Sequence, residues 1–376
     1  MKRIWYFIQK LYFIIPAILF IMLTAGGFIA NCFYSNTFLL DNRPLIQKPD
    51  KMTLHFAQDY ERYYNDTFAG RKKLVKRYAK LKYKLGLDNG YMIYGQNGWA
   101  FYDSSKIPDG YTLIDYYGEV VYTPQELQQI AEGMVAAKEF YAKRGIDYIV
   151  VMVPNKESMY SEFMPPRMQE ARVSERSRAD RAIEYVQQNT DVMVINWRGV
   201  LTQAKKETNI PLYFKKDSHW NNLGVYIAYE ELARVLQTKG YDLDVPVFER
   251  SFIKGVVPVH SDLSAGDDQD LEYIISYKQE QKPLNIENKD NGFFQIWENP
   301  TAPIQKRILL IRDSMGLGLM QLMKKDFSYG VYAHNKWNTR KGLKQLIDEY
   351  KPDLVIDELS ERYFGRFLRY KELYAE

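Results

Sequence analysis

Five short aliphatic runs constrain this 376-residue chain more than anything else in it. They are Asp147–Val153, Asp191–Ile195, Arg307–Ile311, Tyr329–Ala333 and Asp353–Ile356. Each is too short for a helix. Runs that stay apolar without alternating are strands buried on both faces. Helix-like segments lie between several of them. Thr123-Pro124-Gln125-Glu126 is a capping box with Pro at the first helical position. Leu127, Ile130, Met134 and Ala137 then recur on one face, and Gly145 ends the helix. Strands alternating with helices predict an α/β fold whose mainly parallel sheet is covered on both sides. Between about 241 and 303 the pattern becomes irregular and turn-rich, which reads as an insertion into the same domain, with a β-hairpin excursion. There is no internal repeat and no low-complexity tract.

The amino end obeys a different rule. Leu11–Ala30 carries no formal charge, and twenty helical residues span ~30 Å, the thickness of a bilayer's hydrocarbon core. Lys2, Arg3 and Lys10 precede it, and no basic residue follows until Arg43. The charge asymmetry leaves the amino terminus in the cytoplasm and the rest of the chain outside. No small-x-small site closes the run as a cleaved signal would. The expected organisation is a single-pass membrane anchor over 1–34, a linker over 35–55 with Pro44 and Pro49, and one extracytoplasmic domain over 56–376. The sole cysteine, Cys32, excludes an intrachain disulfide and a cysteine zinc site. Asn31 before it does not suit a lipidation signal.

Net charge is +4, too small to imply a nucleic-acid partner, and the positive charge is local. Arg71, Lys72, Lys73, Lys76, Arg77, Lys80, Lys82 and Lys84 fall in one stretch with no acidic residue. Leu74, Tyr78, Leu81 and Leu85 recur through it at helical spacing. The segment reads as an amphipathic helix whose basic face is either simply solvated or meets anionic headgroups or an acidic polymer. Tyrosine is abundant, at 31 copies, and tyrosine rings offer an apolar face with a polar tip.

Two stretches can carry chemistry. In Ile308-Leu309-Leu310-Ile311-Arg312-Asp313-Ser314-Met315-Gly316 a buried strand runs into Asp-Ser, and a helix-like segment follows from Leu317. Ser314 is therefore expected at the carboxyl edge of a parallel strand and at a helix amino terminus. A plain helix cap at Asp313 or Ser314 would leave the same trace. The second stretch is Asp217-Ser218-His219-Trp220-Asn221-Asn222. A serine nucleophile needs a base, and the base needs a group to hold its tautomer. Asp217 and His219 supply both, and only His55, His260 and His334 compete as bases. Asn221 or Asn222 is expected to cap the helix that follows. No His-x-x-x-His pair or thiolate cluster suggests a metal, and no Gly-rich run before Lys-Ser/Thr suggests a phosphate loop.

A strand-end Asp-Ser together with Asp-x-His-Trp at a helix start resembles the alginate O-acetyltransferase group (AlgJ/AlgX-type) of SGNH-hydrolase-like proteins. Bacterial members with an Asp-His-His-Trp signature look similar. Four further segments share the resemblance: Tyr63–Arg71, Gly95–Tyr102, Val153–Tyr160 and Asp353–Arg362. Ser261-Asp262-Leu263 sits where members carry a Gly-Asp-Leu turn. The resemblance implies a flavodoxin-like three-layer SGNH domain, circularly permuted so that Asp and His precede Ser. It makes Ser314 the nucleophile, His219 the base and Asp217 the orienter, with no cofactor and no metal. It implies an O-acyltransferase, of the acetyl-transferring kind, acting on a cell-surface or exported polysaccharide, with a multi-span MBOAT-type membrane acyltransferase as donor. A carbohydrate esterase with the same triad and a non-catalytic scaffold are the alternatives. Two residues depart from the pattern: Arg312 stands where the family has Gly, and Ser218 where the nearest members have His. A side chain at 312 either crowds the turn or points away from it.

Overall fold

The computed structural model describes residues 14–22, 25–26, 46–84, 92–104, 111–261, 269–277, 285–289 and 293–375. The chain divides into two compact units, Met1–Asn89 with Ala265–Asp268, and Gly90–Ser264 with Gln269–Glu376. In the first, residues 14–22 are helical, followed by α1 (Phe56–Thr67) and α2 (Arg71–Lys84). Leu74, Tyr78 and Leu81 of α2 are exposed, and Leu85 lies outside the described residues. Nine residues of the expected anchor Leu11–Ala30, Cys32 and residues 35–45 of the linker lie outside them too. Among the described residues no helix is long and apolar enough to cross a membrane.

The second unit is built on a seven-stranded sheet, and its strand order explains where a site can form. The strands are β3 (Asp147–Val153), β4 (Val194–Asn196), β7 (Asn285–Lys289), β8 (Phe294–Glu298), β9 (Ile304–Arg312), β10 (Phe327–His334) and β11 (Leu354–Ser360), in the order β4-β3-β11-β9-β10-β8-β7. Five of them, β4 to β10 in that order, are parallel, and β8 and β7 add antiparallel at one edge. The sheet is therefore mixed. The insertion read from the sequence holds two hairpins. One is β7–β8, which extends the main sheet; the other is β5 (Ile253–His260) with β6 (Gln269–Ile275), a separate two-stranded ribbon. A further small hairpin pairs β1 (Met92–Tyr94) with β2 (Ala100–Tyr102).

Continuous apolar strands are explained by two cores. Ile149, Val151, Val153, Ile308, Leu310 and Ile356 face one side, with α6 (Asn222–Thr238) and α7 (Leu317–Asp326) packed there. Val150, Met152, Leu309, Ile311 and Val355 face the other, under α3 (Pro124–Ala142), α5 (Arg178–Asn189) and α8 (Arg340–Tyr350). Each such side chain gives roughly 1.5–3 kcal/mol on burial, so both faces must be covered. The capping box of α3 forms as expected, with Thr123 Oγ1 accepting from Glu126 N and Glu126 accepting from Thr123 N.

Asp357, in the middle of β11, is buried and accepts from the hydroxyls of Tyr148 (3.0 Å) and Tyr370 (2.8 Å). Burial pushes its carboxyl up to about 6. The folded chain thus holds a proton that the unfolded chain has already lost above its ordinary value near 4. That contribution to stability is complete below pH ~4 and disappears as the pH rises through about 6. Between pH 4 and 7, denaturant titrations should show the wild type losing ~3 kcal/mol relative to Asp357→Asn; parallel pH profiles would contradict this assignment.

Candidate active site

The carboxyl edges of β3, β11 and β9 converge on one cluster. At the end of β9 the chain turns through Asp313, Ser314, Met315 and Gly316 into α7. Asp313 makes the turn. Its Oδ1 accepts from Met315 N (2.8 Å), while Oδ2 accepts from the N (2.7 Å) and Oγ (2.6 Å) of Ser360 at the end of β11. The Asp313 N–H donates to Glu358 Oε2 at 3.1 Å. The helix cap position falls on Gly316, which has no side chain, so neither Asp313 nor Ser314 is the cap. Ser314 is half-buried.

Arg312 neither forces an unusual backbone nor points into solvent. It is the last residue of β9, its φ is not positive, and its side chain is buried against the hydrogen of Gly316. Its Nη1 donates to Asp313 O at 3.1 Å. Burial lowers its affinity for the proton, with Glu358 and then Asp313 opposing that effect. Glu358 is pushed well above the usual carboxylate range, by burial first and the Asp313 charge second. The neutral acid is thereby favoured. A Cβ at Gly316 would lie 2.5 Å from Glu358 Oε2 and 2.7 Å from Arg312 Cβ, so glycine is required where Arg312 packs.

Asp217 and His219 come together as the sequence suggested. Asp217 Oδ1 accepts from His219 Nδ1 at 2.7 Å and from His219 N at 2.9 Å. A proton on Nδ1 leaves the basic lone pair on Nε2, the tautomer a general base requires. The loop is closed by a bridge between Tyr213 and Trp220 and by Phe214 N donating to His219 O. Asn221 is the cap of α6, accepting from Leu223 N and Gly224 N. Gly224 lets α6 approach closely, since a Cβ there would be 2.4 Å from Leu212 O.

Trp220 joins the two stretches. Its buried indole N–H donates to Met315 O at 2.8 Å. The residue after the imidazole is therefore bonded to the residue after the hydroxyl. His334 is a poorer base: its Nδ1 accepts from Lys336 N, and burial, followed by the Arg312 charge, holds it below its ordinary value.

Asn155, at the carboxyl end of β3, is buried, and neither side-chain polar atom has a hydrogen-bond partner among the described residues. Leaving such a group unpaired costs roughly 1–3 kcal/mol, which is unusual away from a site that a ligand completes. Its backbone N–H is held by Glu361 Oε2 at 2.7 Å. Among the described residues no group of three or more His, Cys, Asp or Glu could hold a metal ion. The roles of Trp220, Ser360 and Glu358 were not read from sequence; only the proximity of strand ends reveals them. Of Ser261-Asp262-Leu263, the last two residues lie outside the described residues.

A groove of about 1610 Å³ runs over the same unit, lined by Tyr111, Tyr122, Arg362, Tyr363, Arg366 and Tyr370, among others. Neither Ser314 nor His219 lines it. Burial works against the charge of Arg362, and Asp313 is the first of the groups that favour it.

Residues 92–252 match the family model of the SGNH hydrolase-like domain, acetyltransferase AlgX. This is the family that the sequence motifs resemble. The match includes Asp217 and His219 and stops before Ser314. No curated protein is similar in sequence. The fold is similar to that of Bacillus cereus PatB1, at 14% identity over 75% of this chain and 100% of that one, with a TM-score of 0.53. The same protein with a sulfonyl adduct gives 14%, 75%, 99% and 0.55. The O-acetyltransferase domain of Pseudomonas putida AlgJ gives 14%, 75%, 99% and 0.46. At this identity the two PatB1 structures speak for the fold alone.

Gly316→Ala should lower stability by ~1–3 kcal/mol in denaturant titrations. An unchanged midpoint would mean that Arg312 and Glu358 do not pack on the turn.

Proposed function

We propose that this chain is an O-acyltransferase that forms a serine ester and passes the acyl group to a hydroxyl of a cell-surface or exported polysaccharide. The observation that supports the reading is the Trp220 bond to Met315, which joins the loop that holds the Asp217–His219 pair to the residue after Ser314. Ser314 Oγ attacks the donor's acyl carbon while its proton moves to His219 Nε2. The same proton then goes to the departing group as the ester forms. In the second half a sugar hydroxyl attacks the ester and gives its proton to His219, which returns it to Ser314 Oγ. Asp217 keeps Nδ1 protonated and faces the positive charge that forms on the ring. The amide of Asn155 and the amino end of α7 are the donors best suited to the oxyanion, since Met315 N–H is already taken by Asp313.

Asp217 and His219 precede Ser314 in the chain, as in a permuted SGNH domain. In this reading Leu11–Ala30 anchors the chain, the catalytic unit lies outside the cell, and a multi-span MBOAT-type acyltransferase supplies the acyl group. The charge asymmetry around that run supports the orientation. The tyrosines of the groove suit a glycan, offering flat apolar faces with polar tips.

With the full-length protein, an acetyl ester and an oligosaccharide acceptor, Ser314→Ala should lower acetyl transfer by on the order of a thousandfold or more. Transfer that survives the substitution would leave a scaffold role. Transfer that never exceeds hydrolysis at any acceptor concentration would make the protein an esterase. Tyr363→Ala should raise KM for the oligosaccharide about two- to tenfold and leave kcat on a small ester unchanged. An unaltered KM would remove the groove from acceptor binding.

A further inference from the structure

The loop carrying Asp217 and His219 is gripped by two buried charges of opposite sign. On one side stands Lys156, the first residue of α4 (Lys156–Met159). Its ammonium donates to the carbonyls of Lys215 (2.8 Å), Asp217 (2.9 Å) and Ala100 (2.6 Å). On the other side stands Asp270 of β6, whose carboxylate accepts from the N–H groups of Lys215 (2.9 Å) and Lys216 (2.7 Å). Ser261 Oγ donates to the same carboxylate at 2.8 Å. The small hairpin completes the grip, since Ala100 N donates to Lys215 O at 2.8 Å.

The arrangement orients the backbone as well as holding it. N–H groups of the Lys215–Asp217 stretch face a carboxylate, and its carbonyls face an ammonium. Each peptide unit carries a dipole of about 3.5 D, so both charges favour one and the same orientation. Rotating either peptide would turn a carbonyl toward Asp270 or an N–H toward Lys156. Hydrogen bonds to ions are about twice as strong as neutral ones, and this stretch has no helix or sheet ladder to replace them. The direction in which Asp217 presents its carboxylate to Nδ1 follows from that backbone.

We propose that Lys156 and Asp270 are positioning residues for His219, acting through the backbone of Lys215–Asp217 to fix the imidazole against Asp217. The ribbon β5–β6, inserted far along the chain, then belongs to the active site through Asp270. Its neighbour Glu272 extends the contact by accepting from Asn222 N at 2.8 Å, at the start of α6. The kinetic consequence rests on the acyl-transfer reading; the geometry does not.

The test uses the full-length protein and two readouts, the downfield proton resonance of His219 Nδ1–H and turnover of 4-nitrophenyl acetate. His219→Gln identifies the resonance by abolishing it. Asp270→Asn and Lys156→Met should each broaden or remove the signal and lower kcat about tenfold to a hundredfold, with KM little changed. Ser261→Ala, which removes a single bond to Asp270, should give an intermediate loss and keeps the test decisive if Lys156→Met does not fold. An intact resonance in folded Asp270→Asn, or a fall in turnover that only follows the fraction of protein folded, would overturn the proposal. Should Ser314→Ala retain full turnover, the acyl-transfer reading fails while the resonance still decides the grip.

Discussion

One hydrogen bond carries the organisation of the site, the one from the Trp220 indole to Met315 O. It links two loops that are 95 residues apart, both buried at the point of contact. A buried indole N–H without an acceptor would cost roughly 1–3 kcal/mol, so the loops have no inexpensive way to separate. The strand order does the rest. β9 and β11 are neighbours, β11 and β3 are neighbours, and their carboxyl ends therefore deliver Ser314, Ser360 and Asn155 to one edge. The loop of Asp217 and His219 reaches that edge from outside the sheet.

Beneath the hydroxyl lies a compact set of ionisable groups whose purpose is geometric. Asp313, the residue next to Ser314, spends both carboxylate oxygens on the turn and on Ser360. Its charge sits close to Glu358, which burial already drives toward the neutral acid. Arg312 enters this pocket from the last position of β9. It fits because the backbone there is ordinary strand, and because Gly316 leaves room for its side chain. The glycine that this turn needs is the one at 316.

The sheet was legible wherever strands are buried on both faces. Asp147–Val153 was read with the limits it has in the structure, since an aliphatic run of seven residues permits little else. Asp191–Ile195 was read three residues early, because Val192 is buried as a strand residue would be although pairing begins only at Val194. The insertion showed its hairpin character through turn residues, but nothing local could tell that β7–β8 joins the main sheet while β5–β6 does not. In the site, the closeness of Asp217 and His219 could be read from their spacing. Lys156 stood inside a recognised segment without a role, and Asp270 gave no signal at all. Both act through backbone groups 54 to 61 residues away in the chain, and backbone partners leave no trace in side-chain patterns. The direction of the Arg312 side chain stayed open because its packing partner Glu358 lies on a different strand.

The most direct test of the account is a crystal structure of the full chain after reaction with a sulfonyl fluoride. The account predicts sulfur bonded to Ser314 Oγ, His219 Nε2 within hydrogen-bond reach of that oxygen or of a sulfonyl oxygen, and Trp220 still seated on Met315 O. An unmodified Ser314, or an imidazole turned to another face of the sheet, would contradict it.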